Sequence, residues 1–555
     1  MADTKVSGLT NLAAPTRDDL LYLVNNPAGV PASHRATVES VITGPSLFVA
    51  ASDATTNEIK HADYICDGTE DEIQIQAAID ALPASGGTVR LSSGNFTVTR
   101  TAGAYSILID RDDVKLEIPT GTMIKLADNE LSLALLCNLI RIGDGTNARS
   151  NIIITGGGVV DANVANNPST GNIAFGAAIF VYGPHEHIAI DGITVQNVSR
   201  DGIYINGESN ANRAKNITVQ NCLLYNVGEG IVFAYADWIW VLNNHVDTIT
   251  GQDGIQPGGC NSYWFIVGNT IQNLVESAID IYAAAEAPTE HGVVANNIIL
   301  GSSIYVAYGI AAGREVRDVL ICNNLLDGST IVAGPGPGDL YNLSIVNNIV
   351  SDGPANGTGI TVGAFTVGAL IESNVVSGHQ WRAIHANCDH AVIVGNTVFN
   401  NGQDGGAVDA ARQGILVENA TGVQILANAI YDDQIAPTQS WPIMITNGID
   451  TQVMCNSFSG HRVANTVQQN APTTPMIHYN VGYITENDGA AAAVADGGTI
   501  AHGCAATPTS AQVTGSVANE FVSVTAIGAA NLTVAIKKHD GTPGTNQTIY
   551  WRAWV

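Results

Sequence analysis

Basic residues are scarce in this 555-residue chain, and from residue 216 to residue 313 there are none. Lys and Arg number 22 against 50 Asp and Glu, giving a formal net charge of −28. Such a field repels phosphate backbones and anionic lipid, so we expect no nucleic-acid partner and no membrane insertion. No run of about 18 apolar residues occurs, which excludes a membrane-spanning helix. The opening Met1-Ala2-Asp3-Thr4-Lys5-Val6 has no basic start followed by an apolar stretch, so no secretory signal is expected. The 8 Cys include no CxxC pair and read as buried small thiols, not as a disulfide framework or a zinc site. Nothing in the pattern calls for a cofactor or a bound metal.

What the chain has instead is repetition. Ile217-Thr218-Val219-Gln220-Asn221 returns as Trp240-Val241-Leu242-Asn243-Asn244, as Phe265-Ile266-Val267-Gly268-Asn269 and as Ser344-Ile345-Val346-Asn347-Asn348. Later copies end at Asn374, Asn396, Asn428 and Asn456. The period is roughly 22–32 residues, the range of solenoids and arrays. Each copy is a short β-branched run with period-2 alternation, hence a strand. A second strand follows in most copies, often opened by Gly-Ile, as at Gly202-Ile203, Gly230-Ile231, Gly254-Ile255, Gly309-Ile310 and Gly414-Ile415. Strand and turn repeated in this way predict an all-β parallel β-helix, in which stacked coils bury a column that no single coil can bury. The Asn residues read as structural: Asn tolerates left-handed backbone angles, and its amide can bond an identical neighbour one coil away.

Four regions follow. Residues 1–45 are not repetitive. Residues 46–100 hold a predicted helix, with a capping box at Thr69 and Glu72, a face of Ile75, Ile79 and Leu82, and Pro83 closing it. The helix leads into Gly86-Gly87-Thr88-Val89-Arg90-Leu91. Residues 101–485 carry the β-helix. Residues 486–555 read as a compact antiparallel β domain with strands near 511–514, 521–524, 532–536 and 549–555.

The helix followed by a Gly-Gly-x-Val-x-Leu strand resembles the opening of the pectate-lyase-like right-handed parallel β-helix superfamily, which includes phage tailspikes. Residues 1–45 resemble the attachment segment of phage tail proteins. The His502-Gly503 start and Tyr550-Trp551-Arg552-Ala553-Trp554 finish of the last domain resemble C-terminal modules of such proteins, which often drive trimerisation. The resemblance implies a homotrimer on a virion tail, assembled in the host cytoplasm and acting at the bacterial surface. Its partners would be a bacterial surface polysaccharide and, through the N-terminal segment, a phage tail or baseplate protein.

Aligning the coils on the Gly-Ile step places Asp201, Glu229 and Asp253 in one column on three successive coils. Beyond them the column reads Ser277, Tyr308, Thr358, Arg382 and Gln413. Neighbouring strands lie about 4.8 Å apart, so adjacent acids should be about 5 Å apart and the outer two about 9–10 Å. Those spacings suit retaining and inverting glycosidases respectively. Asp280 is a fourth candidate, pointed outward by alternation in Ala278-Ile279-Asp280-Ile281. An Asp before Gly also suits a turn, which is the structural alternative. Ser199-Arg200-Asp201-Gly202-Ile203 and Gly251-Gln252-Asp253-Gly254-Ile255 resemble polygalacturonase segments. Gly254 stands where that family has a second Asp, and its Gly-His-Gly and Arg-Ile-Lys segments have no counterpart.

Aromatic residues crowd the same coils and suit sugar rings through their flat faces. Tyr204, Tyr235, Trp238, Tyr263, Trp264 and Tyr282 are the candidate substrate contacts, while alternation assigns Trp240 and Phe265 to the core. The sequence therefore predicts a polysaccharide depolymerase acting by hydrolysis, with Asp201, Glu229, Asp253 and Asp280 as catalytic candidates. A non-catalytic glycan-binding adhesin and a polysaccharide lyase remain as alternatives on the same fold.

Overall fold

A computed structural model describes residues 44–130, 137–167, 176–284, 286–308, 310–405 and 409–555. Nearly all of the attachment-like segment 1–45 lies outside the described residues.

The repeated Asn-ended phrase forms the first of three parallel ladders. Its strands include Ala214–Gln220, Ala236–Leu242, Ser262–Val267 and Thr289–Ala295, each paired in register with the next. A second ladder follows the Asn turn, running for example through His245–Ile249, Thr270–Leu274 and Ile298–Leu300. The third ladder begins at the Gly-Ile step and continues through Ile255–Pro257, Ile279–Ile281 and Ile304–Val306. In two coils the second and third ladders share a single strand, Thr194–Asn206 and Leu223–Ala234. One strand of each ladder per coil is the parallel β-helix expected. Its apolar column is one continuous cluster from Val49 to Val467. Burying such a column is the main stabilising term of the fold.

Glycine at the third-ladder step has a steric cause. A Cβ on Gly230 would sit 2.1 Å from the carbonyl oxygen of Gly254 in the next coil.

The Asn turn divides its work between two adjacent residues. The first takes a left-handed backbone, as at Asn221, Asn243, Asn296, Asn323 and Asn347. The second points inward and builds the ladder. Asn297 Nδ2 donates to Asn324 Oδ1 at 2.9 Å and Asn324 Nδ2 to Asn348 Oδ1 at 2.9 Å, and each backbone N–H donates to the same oxygen. The column continues from Asn244 to Asn480, with Asn244 Oδ1 accepting from Cys222 N–H. Asn221 is thus a left-handed turn residue, and Cys222 holds the inward position in its coil. Not every thiol is buried: Cys455 is exposed in the left-handed position.

Helix α1 spans Thr56–His61 and α2 spans Glu72–Ala81. Ile75, Ile79 and Leu82 are buried at the head of the solenoid column. The capping box expected at Thr69 and Glu72 is absent. Asp71 is the N-cap of α2, while the Thr69 hydroxyl donates to Asp67 and Glu72 accepts from Thr99. The box belongs to α1, where Thr55 and Glu58 cap each other's backbone N–H.

At the C-terminal end lie two three-stranded antiparallel sheets. One joins Glu486–Val494, Gln547–Trp554 and Ser510–Gly515, and the other Thr499–Ala501, Asn531–Lys538 and Glu520–Ile527. They enclose a separate small core around Val494, Ile500, Leu532, Val534, Ile536 and Ile549. The strand over Ala490–Ala493 was not expected, because alanine has little β preference of its own.

Candidate active site

The acid column lies at the start of the third ladder. Asp201 is the register partner of Glu229, and Gly230 N–H donates to the carbonyl of Asp253 in the coil beyond. The three carboxylates are 2%, 5% and 4% exposed. Further along, register pairing of Ile279 with Ile304 and of Ile304 with Ile331 puts Ser302 and then Ser329 in the column. Tyr308 is therefore not a member. It lies past the strand Ile304–Val306 and stacks on Tyr305, centroids 4.5 Å apart. Asp280 points outward between buried Ile279 and Ile281, as alternation requires.

Burial sets the protonation of this column. It pushes Asp201 up, against a hydrogen bond with Glu229 and the charge of Arg200. Burial, and then the bond to Asp201 and its charge, push Glu229 up to about 9. Glu229 therefore keeps its proton at neutral pH and donates it in a hydrogen bond to Asp201, since two carboxyls this close do not both ionise readily. Arg200 Nε lies 3.4 Å from Asp201 Oδ1 but lacks hydrogen-bond geometry, so that oxygen is buried without a donor. Burial also raises Asp253, while Ser277 and Gln256 pull it back: both the Ser277 hydroxyl and its N–H donate to Oδ1, and Gln256 Nε2 donates to Oδ2 at 2.9 Å. Burial and the Asp253 charge push Asp280 up to about 7, and its Oδ1 has no partner.

The aromatic candidates separate onto different faces. Tyr204 sits beside the acids, stacked on Phe180 at 5.2 Å in an outer cluster with Ala177, Val232 and Ala234. Burial and then the charges of Asp201 and Glu229 push its phenol up. Tyr235 packs against the same cluster. Tyr282 ends the third-ladder bridge, with the Arg314 guanidinium 5.6 Å from its ring centroid and donating to its hydroxyl. Trp238 and Tyr263 belong to the first ladder instead. They stack on each other at 4.4 Å with planes 4° apart, and His291 covers the next face at 4.8 Å. A ring between two rings offers a ligand only its edge.

Trp264 is a correction: it is fully buried in the core, while Trp240 and Phe265 face outward and stack on each other. The left-handed backbone at Trp238 and Tyr263 inserts one extra outward residue, which inverts the alternation that follows.

The structure adds Arg200, Gln256, Ser277 and Tyr305 to the neighbourhood. Tyr305 is the register partner of Asp280. Arg200 adjoins Asp201 in sequence and Ser277 continues the acid column, so both had a visible signal. Tyr305 belongs to the aromatics that crowd these coils in sequence, and Gln256 becomes visible only once the outward register is known.

Comparison with known proteins bears on this geometry. The profile of a family described as periplasmic copper-binding protein (NosD) matches residues 142–341. No group of His, Cys, Asp or Glu suited to a metal ion occurs among the described residues. No curated protein sequence matches the chain. Among solved structures, a variant tailspike protein of E. coli bacteriophage HK620 in complex with a pentasaccharide is 15% identical. It aligns with a TM-score of 0.57 over 96% of this chain and 97% of that one. A double variant of that tailspike, with an aspartate and a glutamate changed to alanine, is 16% identical with a TM-score of 0.56 over 87% and 89%. The A-module of an Azotobacter vinelandii mannuronan C-5 epimerase reaches a TM-score of 0.40 at 16% identity, over 75% of this chain and 96% of that one. The likeness is one of fold. The chain is a parallel β-helix protein, and its architecture is similar to that of the phage tailspike.

Proposed function

We propose that the chain is a tailspike-like depolymerase that hydrolyses glycosidic bonds in a bacterial surface polysaccharide. The observation that carries this reading is the register pairing of two buried carboxyls, Asp201 and Glu229, one coil from a second carboxylate pair, Asp253 and Asp280. Glycoside hydrolysis needs one carboxyl that keeps a proton at working pH and one that is ionised. Glu229, raised to about 9, is the proton donor to the leaving oxygen. Asp201 is bonded to Glu229 and cannot lie across a sugar from it, so it holds the donor in place. Asp253, supported by Ser277 and Gln256, is the opposing carboxylate that attacks or activates water, and Asp280 tunes it through its charge. Tyr204 and Tyr235 line the approach.

In the same reading the protein sits on a virion tail, assembled in the host cytoplasm. Residues 1–45 meet a tail or baseplate protein, and residues 486–555 hold a homotrimer. The solved HK620 tailspikes that resemble it are described in complex with a pentasaccharide, which fits a glycan partner.

The test is incubation with purified bacterial capsules and exopolysaccharides. Hydrolysis releases reducing ends without the ultraviolet absorbance of an unsaturated uronate. Appearance of that absorbance identifies a lyase, and binding without shortening identifies an adhesin. Light scattering on the full chain tests the trimer, which a monomeric mass overturns.

A further inference from the structure

The acid column does not stay acidic. Five coils beyond Asp253 the same column position is Arg382, reached through Ser277, Ser302, Ser329 and Thr358 by register pairing of the isoleucines two residues on. At about 4.8 Å per coil this is roughly 24 Å along the axis. The residues between are short and hydroxyl-bearing.

Arg382 is half-buried, its Nε has no acceptor, and among the described residues it makes no ion pair. Its guanidinium carbon lies 5.9 Å from the Trp381 ring centroid. The anion nearby, Glu418, acts on Arg382 through its charge but not by direct contact, and accepts from His385 Nε2 at 3.1 Å. His385 is on the outward column of the same coil, and burial followed by the charge of Arg382 pushes it down to about 4, so it is neutral. The Glu418 charge offsets only part of the burial, so a half-buried guanidinium with no carboxylate in direct contact remains, and a planar bidentate anion is the group that matches it. In a chain of net charge −28 such a site is the exception that admits an anion.

We infer that Arg382, with Trp381 and His385, forms a subsite for a carboxylate-bearing sugar of the polysaccharide, so that the polymer lies along the third ladder from the acid column. This rests on the depolymerase reading for the polymer, but the anion site is tested without it. The probes are sodium D-glucuronate and sodium D-galacturonate at millimolar concentration, with D-glucose and sodium acetate as controls, read by saturation-transfer difference NMR on the full chain. We expect saturable transfer to at least one uronate, weakened about tenfold or more by Arg382→Gln and only partly restored by Arg382→Lys, which keeps the charge but not the planar fork. Asp201→Asn with Glu229→Gln should leave it unchanged. No saturable transfer, or transfer indifferent to Arg382→Gln in a variant with unchanged melting, overturns the subsite. Cleavage of a neutral polymer by a chain that ignores both uronates keeps the depolymerase and removes the subsite. Uronate binding through Arg382 without cleavage of any polymer does the reverse.

Discussion

Two columns of buried polar side chains run coil on coil through this molecule, and they are built on opposite terms. In the Asn column each amide from Asn244 to Asn456 donates to the next and also to a backbone carbonyl of the preceding coil, as Asn324 does to Val294. In the acid column and beside it, carboxyls are raised by burial, and Asp201 Oδ1 and the neighbouring Asp280 Oδ1 accept no hydrogen bond. A buried polar repeat stabilises when its donors and acceptors close on themselves and destabilises when they do not. The fold can hold the second kind because the first kind, and the apolar column beside it, bind the same coils together. Unsatisfied groups retained at such a cost are typical of working sites.

The sharpest way to break this contrast is to open the amide column. Asn324→Leu removes the acceptor of the Asn297 N–H and of one of its two Nδ2 hydrogens, and the side-chain donor to the Val294 carbonyl, at about 1–3 kcal/mol for each unsatisfied group. Chemical denaturation should show a loss of several kcal/mol, and a loss below ~1 kcal/mol would mean that the column is not structural. Next is activity. Glu229→Gln and Asp253→Asn keep shape and should each lower turnover by ~10²-fold or more while the glycan still binds. Full turnover in the double variant would move the chemistry away from these coils.

Third is the pH dependence of stability. Glu229 rises from 4.5 to about 9 on folding and Asp280 from 3.8 to about 7. A raised pKa means that the folded chain binds the proton more tightly. The stability from these groups is therefore complete at acid pH and lost as pH rises, by about 7 for Asp280 and about 9 for Glu229. Melting scans should find Glu229→Gln close to the parent at pH near 4 and more stable by several degrees at pH near 8. A gain independent of pH would refute the proton kept by Glu229. The smallest effect concerns the turn beside the Asn column. Ala427 holds the left-handed position at φ 54, and Ala427→Gly should add about 1 kcal/mol.

The solenoid was legible because its two signals, the Asn-ended strand and the Gly-Ile step, are local and repeat. The column of Asp201, Glu229 and Asp253 follows directly from the second. What misled was local geometry with no composition of its own. Left-handed Trp238 and Tyr263 shift the alternation by one, so Trp264 goes inward although its neighbours suggest otherwise. A Gly-Ile pair at Gly309-Ile310 mimics the ladder step, yet Ile304 is the residue that pairs with Ile279. The capping box at Thr55 and Glu58 has the same spacing as Thr69 and Glu72, and only three-dimensional packing chooses between them. That Arg382 makes no ion pair is invisible in sequence, because it depends on where the Glu418 carboxylate lies, which is against His385.

The Asn column also has a direction. In each amide-to-amide link the Nδ2–H points toward the coil of higher number, from Asn244 through Asn297 and Asn396 to Asn456, and no such link is reversed. The amide dipoles therefore add head to tail along the solenoid axis, as peptide dipoles do in a helix, and each bond polarises the next. The partial positive end lies at Asn480, whose Nδ2 donates to Val453 and His478 carbonyls, and the negative end at Asn244, capped by Cys222 N–H. Interior members have polarising neighbours on both sides and end members on one, so the column should fray from its tips, with its strength concentrated in the middle coils.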